Sequence, residues 1–386
     1  MRFIIIHNNY SVRGGEEVVV EFQKNLLEKH GHEVVLYSRS YSEMETWALG
    51  KFGGMFTSVF NPRSLRDLKR LCELHKFDAA LIHNVFPIIS PVVIPFLRRK
   101  GIRVLQVVHN YRLFCPIGTF YSRGEICEAC LHGGREWNCF RKRCTGGVLA
   151  SFSFAAKFWL VRLSGYYKSV DRFLCLNERQ VNLLSRYMKA DKKISLLPNA
   201  VGNAGKECDD ASKRRFVSFV GRLEEEKGFP DFLRIAEKMP EYEFRVAGAY
   251  TEGSIADLPK NVTLCGFLRG AELDGFYAES RVVLFLSKWY EGFGLVAAEA
   301  MKCGTPVVVY DISVASDIVE EEKSGFVVST GDIEAVIERV KILFEDKDLF
   351  ERFSTAAKQR VEEEYSAERY YERLMKSVVK DDERKE

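Results

Sequence analysis

The chain has 386 residues, of which 46% are hydrophobic and 29% are charged. This balance is typical of a soluble globular protein, and it excludes collagen, a coiled coil and a wholly disordered chain. The apolar runs are strand-sized, far below the ~20 residues that a membrane-spanning helix requires. At roughly 150 residues a domain, the length predicts two or three domains.

The net charge of +3 is unevenly distributed along the chain. Residues 1–200 carry 30 Lys and Arg against 16 Asp and Glu, a net charge of +14, and the remainder carries −11. This polarity predicts that the first half meets an anionic partner. A phosphorylated lipid, an acidic glycan, a membrane surface and nucleic acid all fit, and two solvated surfaces of opposite sign are the alternative.

The N-terminus holds a short apolar run, Phe3–Ile6, and polar residues follow at once. A signal peptide requires a longer apolar region, so we interpret this run as a first buried strand and expect a cytoplasmic protein. In that reducing compartment the ten cysteines favour metal binding or burial over disulfides.

Twelve short apolar runs alternate with helical patterns, which predicts a doubly wound α/β fold with a parallel sheet in each half. The expected strands are Arg2–His7, Glu33–Tyr37, Ala79–His83, Val104–Val108, Arg172–Leu176, Ile194–Leu197, Phe216–Val220, Glu243–Ala247, Val262–Cys265, Val282–Leu286, Pro306–Val309 and Phe326–Val328.

A run rich in Pro, Gly and Asn begins at Pro198 and is typical of a linker. The sequence predicts an N-terminal domain at 1–197, a linker at 198–213 and a C-terminal domain at 214–365. Residues 366–386 are expected to form a helix that returns to the N-terminal domain, followed by a frayed charged tail.

The most informative stretch follows the expected strand Val282–Leu286 and opens an Ala-rich helix. Gly292 and Gly294 let backbone N–H groups approach an anion at a helix N-terminus. Glu291 precedes the helix and Glu299 lies inside it. Eight helical residues would place the two carboxylates about 12 Å apart, where each could bind hydroxyl groups of a ligand. A capped helix with two solvent-exposed carboxylates is the alternative.

A second loop, Gly221 to Gly228, follows the strand Phe216–Val220 at its carboxyl end, where open α/β sheets bind ligands. It carries Arg222 and Lys227, two cations that suit a diphosphate leaving group without a metal. Pairing of these cations with the three glutamates between them is the alternative.

Together the two segments resemble the second domain of the family-4 retaining glycosyltransferases, whose GT-B fold has two Rossmann-like domains facing across a cleft. The family's Glu-x₇-Glu pattern matches at Glu291 and Glu299. Further matches are the Gly-Arg-x₄-Lys-Gly loop, Ala-Met-x-x-Gly-x-Pro at Ala300 to Pro306, Leu197-Pro198-Asn199 and Ser324-Gly325-Phe326-Val327.

By this resemblance the protein is a hexosyltransferase of cell-surface polysaccharide or glycoconjugate synthesis. It would move a sugar from a nucleotide-diphosphate sugar to a hydroxyl of a glycan or lipid-linked acceptor. Glu291 would contact the transferred sugar, Glu299 the ribose, and the turn Gly266-Phe267 the base. The diphosphate would bind five further residues of the two loops: Arg222, Lys227, Gly292, and the amides of Phe293 and Gly294.

In the first half, Gly14 and Gly15 open an expected helix and are similar to the family's glycine-rich loop, which faces the donor phosphate and the acceptor. His109 ends the strand Val104–Val108 and is similar to the histidine that approaches the donor sugar. A glycine-led helix entry and a structural histidine are the alternatives.

The resemblance implies transfer with retention of the anomeric configuration, without a cofactor or a divalent metal. A phosphate oxygen of the donor would accept the proton of the acceptor hydroxyl, so no side chain would serve as a dedicated base. Glu291, His109, Arg222 and Lys227 would supply positioning and charge.

The loop from 115 to 144 carries C-x₂-C-x₈-C-x₄-C spacing at Cys127, Cys130, Cys139 and Cys144. Such spacing is close to that of a structural zinc site, which would brace the loop. Reduced thiols and a disulfide are the alternatives.

Residues 135–172 hold eight cations and two carboxylates, interleaved with eight aromatic side chains. Such a segment is suited to an anionic membrane surface, which would make the protein peripheral on the inner face of the membrane and near a lipid-linked acceptor. Aromatic packing in the core is the alternative. Nothing here resembles a nucleic-acid-binding module, so no nucleic-acid partner is expected.

Two segments depart from the family pattern. Residues 311–317 lack the usual Gly-Gly and Pro-Glu, and Ala200 replaces a glycine. The competing functions are another GT-B enzyme, such as a phosphorylase or a sugar-nucleotide epimerase, and a catalytically silent nucleotide-sugar-binding protein. The intact charged residues of the two loops argue against the silent protein.

Overall fold

A computed structural model describes residues 1–9, 14–46, 57–132, 135–202, 214–249 and 257–379. The chain divides into two compact units, called here the first and the second unit. The first contains Met1–Ser122, Cys127–Pro198 and Tyr370–Glu386, and the second contains Asn199–Arg369 with Arg123–Ile126.

Among the described residues, the chain up to Leu196 contains eight strands. They are β1 (Arg2–Asn9), β2 (Glu33–Ser40), β3 (Ala79–Ile82), β4 (Arg103–Val108), β5 (Tyr121–Ser122), β6 (Glu125–Ile126), β7 (Arg172–Cys175) and β8 (Ile194–Leu196). Six of them form a parallel sheet in the order β2-β1-β3-β4-β7-β8, and β5 pairs with β6 separately.

The helices of this part of the chain are α1 (Gly15–Lys29), α2 (Pro62–Leu74), α3 (Val93–Arg99), α4 (Asn138–Arg141), α5 (Val148–Ser164) and α6 (Glu178–Leu183). Local chemistry explains where two of them begin. The side chain of Asn61 accepts hydrogen bonds from the amides of Arg63 and Ser64 ahead of α2, and Asn177 accepts one from the amide of Gln180 at α6.

The second unit is built on a second parallel sheet with the order β11-β10-β9-β12-β13-β14. Its strands are β9 (Phe216–Val220), β10 (Glu243–Ala247), β11 (Val262–Leu264), β12 (Ser280–Phe285), β13 (Val307–Tyr310) and β14 (Gly325–Val328). The helices that follow in the chain are α7 (Phe229–Lys238), α8 (Ala271–Glu279), α9 (Leu295–Lys302), α10 (Ala315–Ile318), α11 (Ile333–Glu345), α12 (Lys347–Tyr365) and α13 (Ala367–Val378).

The central strands of both sheets are buried on both faces, as expected of parallel sheets that helices cover. Phe3–Ile6 of β1 and the whole of β12 are buried. All twelve expected strands are present, with ends that differ by at most three residues, so the doubly wound α/β prediction is confirmed. The hairpin of β5 and β6 was not expected.

Each sheet has one point at which the strand order reverses, called here its switch point. It lies between β1 and β3 in the first sheet and between β9 and β12 in the second. The connections leave a switch point in opposite directions, which opens a crevice at the carboxyl ends of the strands. Side chains just after these four strands are therefore placed to meet a ligand.

The last helix, α13, packs in the first unit. The ring of Tyr370 lies 5.7 Å from that of Phe22, and the Arg103 guanidinium donates to the carbonyl of Ser377 at 3.2 Å. Residues 203–213 of the expected linker and the expected tail at 380–386 lie outside the described residues.

Candidate functional site

The loops after β9 and β12 are fixed against each other at the switch point of the second sheet. Gly228 has a φ of +77°, and a Cβ there would lie 2.0 Å from the carbonyl oxygen of Leu286. Only glycine tolerates both constraints. The amide of Lys288 also donates to the carbonyl of Glu226 at 2.8 Å. The two predicted motifs therefore lie in contact at one corner of the second unit.

Glu291 is the centre of this corner. Its Oε1 accepts hydrogen bonds from Lys227 Nζ at 2.6 Å, Ser287 Oγ at 2.6 Å and Trp289 Nε1 at 2.9 Å. The Lys227 ammonium also lies 5.2 Å from the centre of the Trp289 ring. Residues 287 and 289 were missed from sequence, although both lie within the motif.

The surroundings of Glu291 keep it ionised. Burial alone would raise the pKa of this carboxyl, but the charge of Lys227 and the hydrogen bonds from Lys227, Ser287 and Trp289 outweigh burial and lower the pKa below its usual value. The corner therefore presents an anionic oxygen and a cation side by side near neutral pH.

Arg222 and Lys227 do not share one partner. The Arg222 guanidinium pairs with Glu224 and, at 2.8 Å, with Glu226, and its side chain is 54% exposed. The local pairing considered from sequence therefore occurs for Arg222, whereas Lys227 pairs with Glu291.

The expected helical spacing between Glu291 and Glu299 is wrong. Gly294 has a φ of +87°, and α9 begins only at Leu295. Residues 291–294 are thus not helical, and Glu299 is the fifth residue of α9. The rise of eight helical residues consequently does not apply to this pair.

Glu299 lies in a different environment from Glu291. Its Oε2 accepts from the hydroxyl of Tyr277 on α8 at 3.1 Å, and Tyr277 is fully buried. Burial raises the pKa of Glu299, although the Tyr277 hydrogen bond opposes the rise. The two carboxylates are therefore tuned in opposite directions.

The remaining predicted residues of the second unit lie at the same edge of the sheet or bury their side chains. The ring of Phe293 is buried 5.4 Å from that of Tyr365, which leaves the backbone as its contribution to a ligand. Gly266 follows β11 with a φ of +74°, and its carbonyl accepts from the amide of Gly248 at 2.8 Å. Phe267 is 66% exposed.

In the first unit, Gly14 and Gly15 open α1 as expected. Gly14 precedes the helix in an extended conformation, and its amide donates to the carboxylate of Glu17 at 2.9 Å. The neighbouring Glu16 accepts from the side-chain amide of Asn110 at 2.9 Å. The helix entry is therefore tied to the residue that follows His109.

His109 follows β4 and joins a chain of buried polar groups. Its Nε2 lies 2.7 Å from Nδ1 of His83, and Nε2 of His83 lies 2.8 Å from Oε1 of Gln23. Burial lowers the pKa of His109 and, more strongly, that of His83. His83 was missed from sequence, although it follows β3 as His109 follows β4.

A small cavity of about 40 Å³ adjoins His109. Glu16, Asn84, Arg112 and Tyr167 also line it, together with apolar side chains that include Phe86, so its walls offer both polar and apolar contacts. The Arg112 guanidinium donates to the side-chain oxygen of Asn84 at 3.3 Å. Such walls suit a compact hydroxylated or charged group.

The cysteines of the 115–144 loop gather beside α5. Cys130 and Cys139 are buried against Ala155, and the Lys142 ammonium lies 3.2 Å from Sγ of Cys127. Burial and the neighbouring thiols raise the pKa of Cys130 to about 12. Within the described ranges, no three or more His, Cys, Asp or Glu side chains are arranged to hold a metal. The zinc site at Cys127, Cys130, Cys139 and Cys144 stays a prediction, which metal analysis of protein purified without chelator will check.

In the part of the chain that the structure describes, no helix combines the length and the apolar character needed to cross a bilayer.

Two family models match the chain. The model described as "Glycosyl transferases group 1" matches residues 206–360, and the model described as "Glycosyltransferase Family 4" matches residues 12–202. The first match contains the loops around Lys227 and Glu291, and the second contains His109.

One named relative is the "Capsular polysaccharide biosynthesis glycosyltransferase CapM" of Staphylococcus aureus. It is 29% identical over 168 residues, which are 41% of this chain and 44% of the relative. The alignment thus spans less than half of either protein.

Solved structures resemble the chain over almost its whole length. Sucrose-phosphate synthase from Thermosynechococcus elongatus has a TM-score of 0.71 at 15% identity and covers 97% of both chains. Anabaena HepE in complex with UDP and glucose has a TM-score of 0.65 at 14% identity and covers 98% of this chain and 99% of that one. At such identities these likenesses show the fold.

Proposed function

We propose, because this chain belongs to the family-4 glycosyltransferases and has their GT-B fold, that it moves a sugar from a nucleotide-diphosphate sugar to a hydroxyl of a glycan or lipid-linked acceptor. The proposed setting is the synthesis of a cell-surface polysaccharide or glycoconjugate, as the name of the CapM relative suggests. The donor, the acceptor and the stereochemistry are parts of the proposal.

The observation that carries this proposal is the contact of Lys227 with Glu291 at the switch point of the second sheet. In a nucleotide sugar, the hydroxylated ring and the diphosphate meet at the bond that breaks. Sugar hydroxyls donate hydrogen bonds and phosphate oxygens accept them. A carboxylate and an ammonium 2.6 Å apart therefore match the two sides of that bond.

The other loop residues extend this arrangement along the donor. Arg222 supplies a second cation, and the backbone amides of Gly292, Phe293 and Gly294 lead into the N-terminus of α9, where the dipole favours an anion. Glu299 is assigned to the ribose. Exposed Phe267, with Gly266, is assigned to the base.

The proposed reaction retains the anomeric configuration and requires neither a metal nor a cofactor. The bond between the sugar and the diphosphate breaks, and the bond to the acceptor oxygen forms on the same face. The acceptor proton passes to a phosphate oxygen of the leaving diphosphate. Lys227 and Arg222 stabilise the charge that develops there. In the first unit, Gly14, Gly15 and His109 are assigned to the acceptor and the donor sugar.

Transfer assays with a panel of nucleotide sugars test the proposal. We expect one donor to raise the melting temperature of the protein and to yield a glycosylated product that mass spectrometry detects. NMR should show that this product keeps the anomeric configuration of the donor. EDTA should not lower the rate of transfer. Turnover of the donor without an acceptor would instead identify an epimerase, and dependence on inorganic phosphate a phosphorylase. Donor binding without transfer across the acceptor panel would identify a silent binding protein.

We also propose that α5 rests on an anionic bilayer, where a lipid-linked acceptor resides. Four apolar side chains on one face of this helix are exposed. Their exposed fractions are 74% for Leu149, 44% for Phe152, 39% for Leu160 and 57% for Leu163. Three exposed cations, Arg141, Lys142 and Arg143, precede the helix. An apolar stripe beside cations suits an acidic lipid surface.

Cosedimentation with vesicles tests this attachment. The wild type should sediment with vesicles containing phosphatidylglycerol and less with neutral vesicles. The double variant Leu149→Ser with Leu163→Ser should lose this binding. Leu74→Ser on α2 is the matched control, because Leu74 is as exposed, at 75%, but lies outside the stripe. Equal sedimentation of all three proteins would refute the attachment.

A further inference from the structure

We propose that Gln23, His83 and Tyr370 are positioning residues that hold the ring of His109 in one tautomer, with Nε2 protonated and Nδ1 able to accept a hydrogen bond from a substrate hydroxyl. This inference rests on the proposed function, in which His109 approaches the donor sugar. It adds a tyrosine from the last helix to the machinery of the first sheet.

The four side chains form one continuous chain of hydrogen bonds. Nε2 of Gln23 donates to the Tyr370 hydroxyl at 2.7 Å, and Oε1 of Gln23 lies 2.8 Å from Nε2 of His83. Nδ1 of His83 then lies 2.7 Å from Nε2 of His109. Gln23 and His83 are buried and Tyr370 is 2% exposed, so water does not substitute for these partners.

The direction of each hydrogen bond follows from the amide of Gln23. Its nitrogen faces Tyr370, so its oxygen faces His83 and can only accept. Nε2 of His83 must therefore carry a proton. In a neutral imidazole the other nitrogen is bare, so Nδ1 of His83 accepts. Nε2 of His109 is then the donor, and Nδ1 of neutral His109 is left as an acceptor.

This reasoning requires a neutral His83, and the surroundings favour one. Burial lowers the pKa of His83 well below its usual value, and the neighbouring His109 and His7 add to this. Among the described residues, His7, Glu16 and Glu17 can carry charge and act on these rings: Nε2 of His7 lies 3.7 Å from Glu17, and Glu16 and Glu17 oppose the lowering of the His109 pKa. Both acids lie on α1, two residues or fewer from its start.

The tautomer has a chemical consequence. A bare Nδ1 accepts a hydrogen bond from a sugar hydroxyl, whereas a protonated Nδ1 could only donate. A wrong tautomer leaves an intact ring in place and still removes its function, so catalysis depends on groups that never touch the substrate.

The experiment uses the full chain with ¹⁵N-labelled histidine rings. Two-bond ¹H–¹⁵N correlation spectra report which nitrogen of each ring is protonated, whether or not transfer is observed. We expect His109 to be protonated at Nε2 in the wild type. In Tyr370→Phe the Gln23 amide loses its partner and is able to rotate, so both tautomers of His109 should appear. The kcat of transfer should fall about tenfold with little change in the donor KM.

Gln23→Glu gives a pH signature that a structural role would not produce. The carboxylate still accepts from His83 but raises the pKa of His83 by its charge. Protonated His83 donates from both nitrogens and forces Nε2 of His109 to accept. The acid limb of the kcat profile should therefore move to higher pH.

Tyr371→Phe is the matched control. Tyr371 is the next residue of α13, and its hydroxyl lies 2.8 Å from Nε2 of His32. His32 does not belong to the series of hydrogen bonds that leads to His109. This variant should leave the His109 spectrum and the pH profile unchanged. If Gln23→Glu fails to fold, Tyr370→Phe still decides the question.

Two results would overturn the inference: a wild-type His109 protonated at Nδ1, or an unaltered His109 spectrum in Tyr370→Phe. A wild type that transfers no sugar from any donor would instead refute the proposed function, and the spectra would still report the tautomer.

Discussion

The two switch points have the same topology, but different kinds of side chains lie beside them. Beside the switch point of the first sheet, hydrogen bonds link Gln23 of α1, His83 after β3 and His109 after β4. At β9 and β12 of the second sheet, an ion pair between Lys227 and Glu291 occupies the corresponding place. Both sheets are parallel, but the reversal divides the first sheet into two and four strands and the second into three and three.

The difference shows what each edge is suited to do. A neutral chain fixes the direction of a hydrogen bond and contributes little field, because each proton has one allowed position. An ion pair contributes an electrostatic field and tolerates rotation of its groups. The first edge is thus suited to recognising a hydroxyl and the second to holding charge on a leaving group.

The largest expected effect removes the charge from the second edge. Lys227→Ala leaves the Glu291 carboxylate buried without its cation, and we expect kcat/KM to fall about 10²- to 10³-fold. Steady-state kinetics with the identified donor measure this. Lys323→Ala, at a 73% exposed side chain in the same unit, is the control. Near-normal turnover of Lys227→Ala would contradict the role of the ion pair.

A second change tests whether the corner at the second edge is rigid. In Gly228→Ala the new Cβ meets the carbonyl of Leu286, so we expect the free energy of unfolding to fall by about 3 kcal/mol. Gly331→Ala has a similar φ of +86° and open space around it, so it should cost about 1 kcal/mol. Urea unfolding compares them, and equal losses would show that the close approach is unimportant.

A third change separates the two carboxylates of the second unit. Glu299→Gln should raise the donor KM about tenfold and leave kcat nearly unchanged, because a ribose contact is made equally before and during the reaction. Glu237→Gln, on the exposed side of α7, is the control. A fall in kcat as large as that from Lys227→Ala would place Glu299 in the chemistry instead.

The smallest expected effect is on stability in acid. The folded protein holds the pKa of Glu291 below its usual 4.5, so this carboxyl binds fewer protons folded than unfolded. Its contribution is present above that usual value and is lost as the pH falls through the lowered one. Glu291→Gln should therefore lose less stability than the wild type below pH 4.5. Denaturant titrations across that range measure it, and parallel curves would exclude the contribution.

Much of the fold was readable because buried parallel strands are apolar along their whole length. The twelve runs needed no long-range information, and neither did the loops that follow β9 and β12. The start of α9 was misjudged because Gly294 adopts a left-handed conformation, with a φ of +87°, directly before the helix. A period-3.6 pattern alone carries no sign of it.

The series of hydrogen-bonded polar groups in the first unit could not be predicted from sequence, and the reason is different. Tyr370 lies 347 positions after its partner Gln23, and neither residue belongs to a motif. Likewise, nothing local decides that Arg222 pairs with Glu224 and Glu226 while Lys227 reaches Glu291. Partner choice among several charged neighbours depends on tertiary geometry.

The position of Tyr370 has a consequence for biosynthesis. A ribosome delivers β1, α1 and β3 early, but Tyr370, which completes their hydrogen-bond chain, emerges only after residues 199–369 of the second unit. The first unit therefore cannot finish its interior until translation of the second is over. Nascent chains should hold Gln23 and His83 without their tyrosine while the second unit is made, and a premature stop codon just before Tyr370 should damage the half of the protein that was made first.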